Sequence, residues 1–170
     1  MLYLSLLYLA WLLTDNVRLE VRHSAGRLMR RVAGVPLMAL KGAALQLVGC
    51  SGVADRPMDD LDVMVTEQDA TQACSILEGM GGLRTQPLVR EDFFQCFHYE
   101  IEYSLGRIYP IKVDLHVRPF RPLRYAITLP RDALWANAQL CPIGRAAIRV
   151  PSDEEMLIHL ATHAAVAEPE

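Results

Sequence analysis

The alternation of apolar and polar positions divides the chain into short elements of changing period. Residues 1–13, MLYLSLLYLAWLL, are almost uniformly apolar and predict a helix. This run of thirteen falls short of the roughly 20 residues that span a bilayer. It also has no basic residues at its start and no small-residue cleavage site behind it. It reads as a first helix packed on the domain, with an interfacial or partner-facing helix as the other reading. Thr14 or Asp15 caps a second helix reaching about Arg31, in which Val17, Leu19, Val21, Leu28 and Met29 recur at helical spacing before Gly34 ends it.

Residues 35–40 are a nearly unbroken apolar run that suits a buried strand, closing at Lys41 and Gly42. Residues 43–48 look like the start of a helix, and 50–57, with Gly and Pro, read as a loop. A second strand is expected over 61–65, led by Asp59 and Asp60, with Thr66 placed to cap a helix over 67–80 that Gly81 and Gly82 stop. Residues 98–104 and 108–116 predict two strands of a hairpin joined by Leu105, Gly106 and Arg107. Over 117–125 Arg and Pro alternate with apolar residues, a rigid connector. Ser152 with Glu155 forms a capping box for a helix toward Ala165. Helix and strand signals alternate early and a hairpin follows, which predicts an α/β (α+β) domain, a small mixed β-sheet flanked by helices. The expected organisation is a helical segment over 1–34 packed on the core, a core over 35–130, and an incomplete helical segment over 131–170.

Composition narrows the class. Hydrophobic residues make up 52% and charged residues 22%, the balance of a folded soluble domain rather than a disordered chain. Seventeen Lys and Arg face twenty Asp and Glu, so there is no general attraction to a phosphate backbone and any nucleic-acid contact must be local. Cys50, Cys74, Cys96 and Cys141 form neither a CxxC pair nor a disulfide framework. Reduced, mostly buried thiols in a cytoplasmic protein without a membrane span are the expectation.

The candidate chemistry is acidic. In a strand, residues two apart point to one face, so Asp60 and Asp62 project together while Leu61 and Val63 face the core side. Two carboxylates about 4 Å apart repel by about 4 kcal/mol at an effective dielectric near 20, and a hard cation with oxygen ligands is the usual compensation. A solvated strand edge is the bland alternative for such a DxD. Asp114 changes the balance, because it sits within VDLH on an apolar strand where an unpaired carboxylate is costly to bury. If the strands of Asp62 and Asp114 are neighbours, three carboxylates converge, enough to hold two metals. Between an apolar run and a helix, Lys41, Gly42 and Ala43 form a turn whose backbone N–H groups offer a place for phosphate.

The segments MALKGAAL, RPMDDLDVMV and VDLH together resemble the pattern of the uncharacterised nucleotidyltransferase family within the polymerase-beta-like superfamily, with fainter support from PSDEEMLIHLATH. The resemblance covers about residues 38–116. It implies a nucleotidyltransferase-like core with N-terminal helices and the start of a C-terminal helical region. The implied activity moves a nucleoside monophosphate from a nucleoside triphosphate such as ATP to an acceptor hydroxyl, with Mg2+ or Mn2+ and with pyrophosphate leaving. The acceptor class stays open between small molecule, peptide, protein and RNA, as does the oligomeric state. On this resemblance Asp60 and Asp62 ligate metal, Asp114 completes the site and assists deprotonation of the acceptor, and Gly42 holds the phosphates. Two departures stand out: Ala43 supplies no hydroxyl where the superfamily has Gly-Ser or Gly-Gly, and Asp59 stands where the family commonly has glycine. A fold kept for binding after loss of transfer, and a metal-dependent nuclease, are the competing functions.

Other residues carry two readings each. Lys41 either neutralises a phosphate or is a solvated lysine, and Arg56 pairs with a carboxylate or with a phosphate. Arg118, Arg121 and Arg124 form a basic stretch that meets an anionic ligand or merely solvates a connector. His116 shares a strand face with Lys112 and Asp114, near the expected metal site or as a structural histidine. His159 and His163 lie four apart on a helix, a zinc spacing without the glutamate of a zinc-protease helix.

Overall fold

The computed structural model describes residues 35–49, 60–86, 99–106, 110–120, 131–143 and 146–166. The expected helices over 1–34, the loop over 50–57, Asp59, Arg56, Cys50, Cys96, Arg121 and Arg124 lie outside these residues. The elements are β1 (Met38–Ala39), α1 (Lys41–Leu47), β2 (Asp60–Met64), α2 (Ala70–Gly79), β3 (Leu83–Arg84), β4 (Glu100–Leu105), β5 (Ile111–His116), α3 (Arg131–Ala136), β6 (Gln139–Ile143), β7 (Ala146–Val150) and α4 (Asp153–Val166). All strands join one seven-stranded sheet in the order β3-β4-β5-β2-β1-β7-β6. Two pairings are parallel, β2 with β5 and β1 with β7, and the others are antiparallel, so the sheet is mixed as the sequence predicts.

The two-residue period of the strands sorts their side chains. Leu61 and Val63 of β2, Ile101, Tyr103 and Leu105 of β4, and Val113 and Leu115 of β5 enter one core with Ile148 and Val150 of β7. Helix α2 lays Ala70, Ala73, Cys74 and Leu77 against that core, at positions 0, 3, 4 and 7 of a helical face. From α1 and α4, Ala43, Ala44 and Met156 complete it. The even-numbered residues of β2, β4 and β5 face the other way, and all the charged or titratable residues of these strands other than Tyr103 are among them, with Met64 and Ser104 as the uncharged members. On β1 the same alternation places Met38, with Leu40 and Met64, in a second apolar cluster closed by Leu134 of α3.

Several boundaries move. The apolar run over 35–40 yields only two paired residues, because Lys41 starts α1 directly after Leu40. Thr66 does not cap α2: its hydroxyl accepts from the Asp69 amide in a turn, and the helix begins at Ala70. The helix ends at Gly79, with Met80 as its C-cap and Gly81 at φ +85°, as a glycine stop requires. Gly82 is needed for a different reason, since a Cβ there would lie 2.8 Å from the Leu77 carbonyl oxygen. The β4–β5 hairpin pairs Leu105 with Ile111, so Leu105 belongs to the strand and the connection is longer than expected. Residues 139–150 contain a hairpin, β6–β7, where the sequence reading has only helix. Ser152 and Glu155 do form the expected capping box, with the Glu155 amide donating to the Ser152 hydroxyl at 3.4 Å. Among the described residues no helix is long and apolar enough to cross a membrane.

Candidate active site on the polar face of the sheet

Parallel pairing of β2 with β5 aligns Asp60 with Lys112, Asp62 with Asp114 and Met64 with His116. Antiparallel pairing of β4 with β5 then sets Glu102 beside Asp114 and Glu100 beside His116. Register and alternation thus bring seven charged or titratable side chains, Asp60, Asp62, Glu100, Glu102, Lys112, Asp114 and His116, to one face. One carboxylate oxygen from each of Asp60, Asp62 and Asp114 lies within 4.8 Å of the other two. Asp62 and Asp114 are buried, and Asp60 is half-buried at the start of β2.

Asp62 is held from two sides. Lys41 Nζ donates to its Oδ1 at 2.7 Å, and His116 Nε2 donates to the same oxygen at 2.8 Å. An ionised carboxylate only accepts, so this contact places a proton on Nε2 of the imidazole. Burial pushes the Asp62 carboxyl up, but the hydrogen bond and charge of His116, followed by those of Lys41, hold it at about 2. Lys41 reaches this position from the first residue of α1 with φ +44°, a left-handed conformation that costs a residue with a Cβ roughly 1–2 kcal/mol. The Leu40 amide, donating to the Asp62 carbonyl at 3.1 Å, ties that turn to β2.

Asp114 is in the opposite condition. Its Oδ2 accepts from Lys112 Nζ at 3.2 Å, while Oδ1 is buried and has no partner among the described residues. Burial first, and then the negative charges of Glu100 and Asp62, raise its carboxyl to about 6 in spite of Lys112. A buried, unpartnered carboxylate oxygen facing two further carboxylates is a donor set that fits a hard divalent cation.

His116 is fully buried beneath the Tyr99 ring, at 5.5 Å between centroids, with Glu100 Oε2 at 3.7 Å from Nε2. Glu100 and Glu102 were missed in the sequence, although the alternation of EIEYSL contained the signal. Gly42 and Ala43 lie in the first turn of α1, next to Lys41, and the Ala43 methyl is buried in the main core. Arg118 pairs with Glu67, Nε to Oε1 at 3.2 Å. His159 is buried against Phe120, with ring centroids 5.2 Å apart, and neither His159 nor His163 joins a metal-ligating group among the described residues.

Solved structures share the fold of this mixed sheet. The Thermotoga maritima protein TM1012, a provisionally assigned nucleotidyltransferase, superposes with a TM-score of 0.61 at 14% identity, covering 86% of each chain. ANT(2'')-Ia, crystallised with adenylyl-2''-tobramycin, gives 0.60 at 16% identity over 87% of this chain and 79% of that one. The solution structure of the same antibiotic-resistance factor gives 0.57 at 16% identity, over 92% and 75%. No curated protein matches in sequence. The chain matches the model of the uncharacterised nucleotidyltransferase family over residues 4–168 and belongs to that family.

Proposed function

We propose that the protein is an active, metal-dependent nucleotidyltransferase that moves a nucleoside monophosphate from a nucleoside triphosphate to an acceptor hydroxyl. The observation that carries the reading is the convergence of one carboxylate oxygen each from Asp60, Asp62 and Asp114 within 4.8 Å, with the buried Asp114 Oδ1 left without a partner among the described residues. These three residues would hold Mg2+ or Mn2+, which when bound supplies Lewis-acid polarisation of the phosphoryl oxygens and neutralises their charge.

The protein's own groups do the rest. The acceptor oxygen forms a bond to the α-phosphorus while the bond to the bridging oxygen of the β-phosphate breaks, and pyrophosphate leaves. The acceptor's proton passes to the Asp114 carboxylate, which the register sets directly beside Asp62. Lys41, with Gly42 and Ala43 in the same turn, lies beside Asp62 and supports binding of the phosphates. His116 orients Asp62 through its Nε2 proton, and Arg56 is a further candidate for phosphate contact. Transfer of this kind depends mainly on positioning and charge stabilisation, which a rigid sheet face supplies. The reading is of a cytoplasmic enzyme; among the described residues no helix is long and apolar enough to cross a membrane.

The test is incubation with each labelled nucleoside triphosphate and Mg2+ or Mn2+, alone and with cell extract, followed by detection of transferred label. Metal-dependent transfer that disappears in Asp62→Asn supports the reading. Nucleotide binding without transfer to any acceptor would establish a binding protein that has kept the fold.

A further inference from the structure

The two oxygens of Asp114 are treated differently, and the group responsible is Lys112. Its Nζ lies 3.2 Å from the buried Oδ2, while its side chain is 45% exposed. The residue sits opposite Asp60 in the β2–β5 register, two positions before Asp114 on the same face of β5. Lys41 does the same to Asp62 from the other side, at 2.7 Å. Each of these two buried carboxylates therefore already has a monovalent cation. The two lysines differ in freedom: Lys41 is 16% exposed and fixed by the α1 turn, whereas Lys112 stands half in solvent on a flexible stem.

We propose that Lys112 is a resident counter-cation of the acidic site that opposes loading of a divalent metal alone and leaves Asp114 when triphosphate arrives. The inference rests on the proposed metal-dependent transferase reading. A dication entering between Asp60, Asp62 and Asp114 meets the positive charge of Lys112 at close range, and this repulsion is not offset until an anion enters with it. Polyphosphate oxygens give the ammonium group an alternative partner of higher charge than a single carboxylate. Lys112 is thus a positioning residue that couples metal binding to nucleotide binding. A Lys112 that stayed on Asp114 in every state would weaken metal binding equally with and without nucleotide, and its removal would leave the enhancement by the analogue unchanged.

The experiment titrates Mn2+ into the full chain at constant ionic strength and follows free Mn2+ by its paramagnetic resonance signal, first alone and then with a non-hydrolysable nucleoside triphosphate analogue. Lys112→Met, and Lys112→Gln as the second variant, are expected to bind Mn2+ alone about tenfold more tightly than wild type, the scale of losing one nearby positive charge in a partly solvated site. The enhancement by the analogue is expected to shrink by a similar factor, and Lys112→Arg to stay near wild type. Unchanged or weaker Mn2+ binding in both neutral variants, with or without a lower melting temperature, would overturn the inference. Asp62→Asn separates the two claims. If wild type binds Mn2+ and Asp62→Asn does not, a null result in the Lys112 variants refutes the counter-cation alone. If Asp62→Asn changes nothing, the metal site itself is refuted.

Discussion

Asp62 and Asp114 are direct register partners on adjacent parallel strands, yet the structure drives their acidities apart, to about 2 and about 6. The difference lies in their donors: Asp62 takes two on one oxygen, and Asp114 takes one lysine and leaves its second oxygen bare. Neighbouring carboxylates with separated pKa values divide labour readily, one as a permanent anion and the other as a proton acceptor.

Asn at the two positions should therefore fail differently. Asp62→Asn is expected to abolish metal-dependent triphosphate binding. Asp114→Asn should keep the nucleotide and lose transfer by a factor of about 10²–10⁴, the usual weight of a positioned base. Equilibrium binding and single-turnover transfer, measured side by side, separate these outcomes, and equal loss of binding in both variants would contradict the assignment.

Lys41 combines a stabilising contact with an unfavourable backbone angle. Lys41→Ala should destabilise the metal-free protein by about 2 kcal/mol, the scale of a hydrogen bond to a charged group. Lys41→Gly, which relaxes the left-handed φ, should recover about 1 kcal/mol of that loss. Urea midpoints of the two variants give the comparison, and a glycine variant less stable than the alanine one would show that the angle carries no strain.

His159 sets an acid limit on the fold. Burial, then the positive charges of His116 and Lys41, lower its pKa from 6.5 to about 3. A histidine depressed in the folded state is protonated preferentially in the unfolded chain. Its contribution is intact above pH 6.5 and is lost as pH falls toward 3. Asp114 has the opposite sign, its folded-state proton favouring the fold as pH drops from about 6 toward 4. His159→Leu should flatten the fall in melting temperature between pH 6.5 and 4. An unchanged pH profile in the variant would show that His159 is not the group responsible.

Gly82 permits the return of the chain from α2 into β3. Gly82→Ala should cost about 1–3 kcal/mol, because its methyl would meet a backbone oxygen that has no rotamer to escape into. Gly79→Ala is the control, with open space around the added methyl and a helical position that favours alanine. Chemical denaturation of both variants should show loss in the first and no loss in the second.

What the sequence made legible follows from how local each signal is. Asp60 and Asp62 on one face, and Asp114 on the face of Lys112 and His116, needed only the two-residue strand period. That the two strands are adjacent and parallel, with Asp62 against Asp114, depends on sheet order, which no local pattern encodes. Glu100 and Glu102 were readable from alternation, but their place beside His116 and Asp114 again required the register. The β6–β7 hairpin was missed because QLCPI contains Pro142 and leaves Leu140 67% exposed, features of an edge strand that weaken its strand pattern. His159 looked like half of a zinc pair by spacing alone, whereas its environment is the Phe120 ring.

The place of β1 has a consequence for synthesis on the ribosome. This two-residue strand lies between β2 and β7, with Met38 aligned to Met64 on one side and to Arg149 on the other. Its first neighbour follows soon in the chain, but the second is made only near the end of the described residues. Until β7 emerges, the nascent sheet carries an open edge at β1, next to the lysine that reaches Asp62. The emerging chain therefore has to complete the β6–β7 hairpin before β7 pairs with that edge, and a stall in this interval would leave it exposed to pairing with another chain.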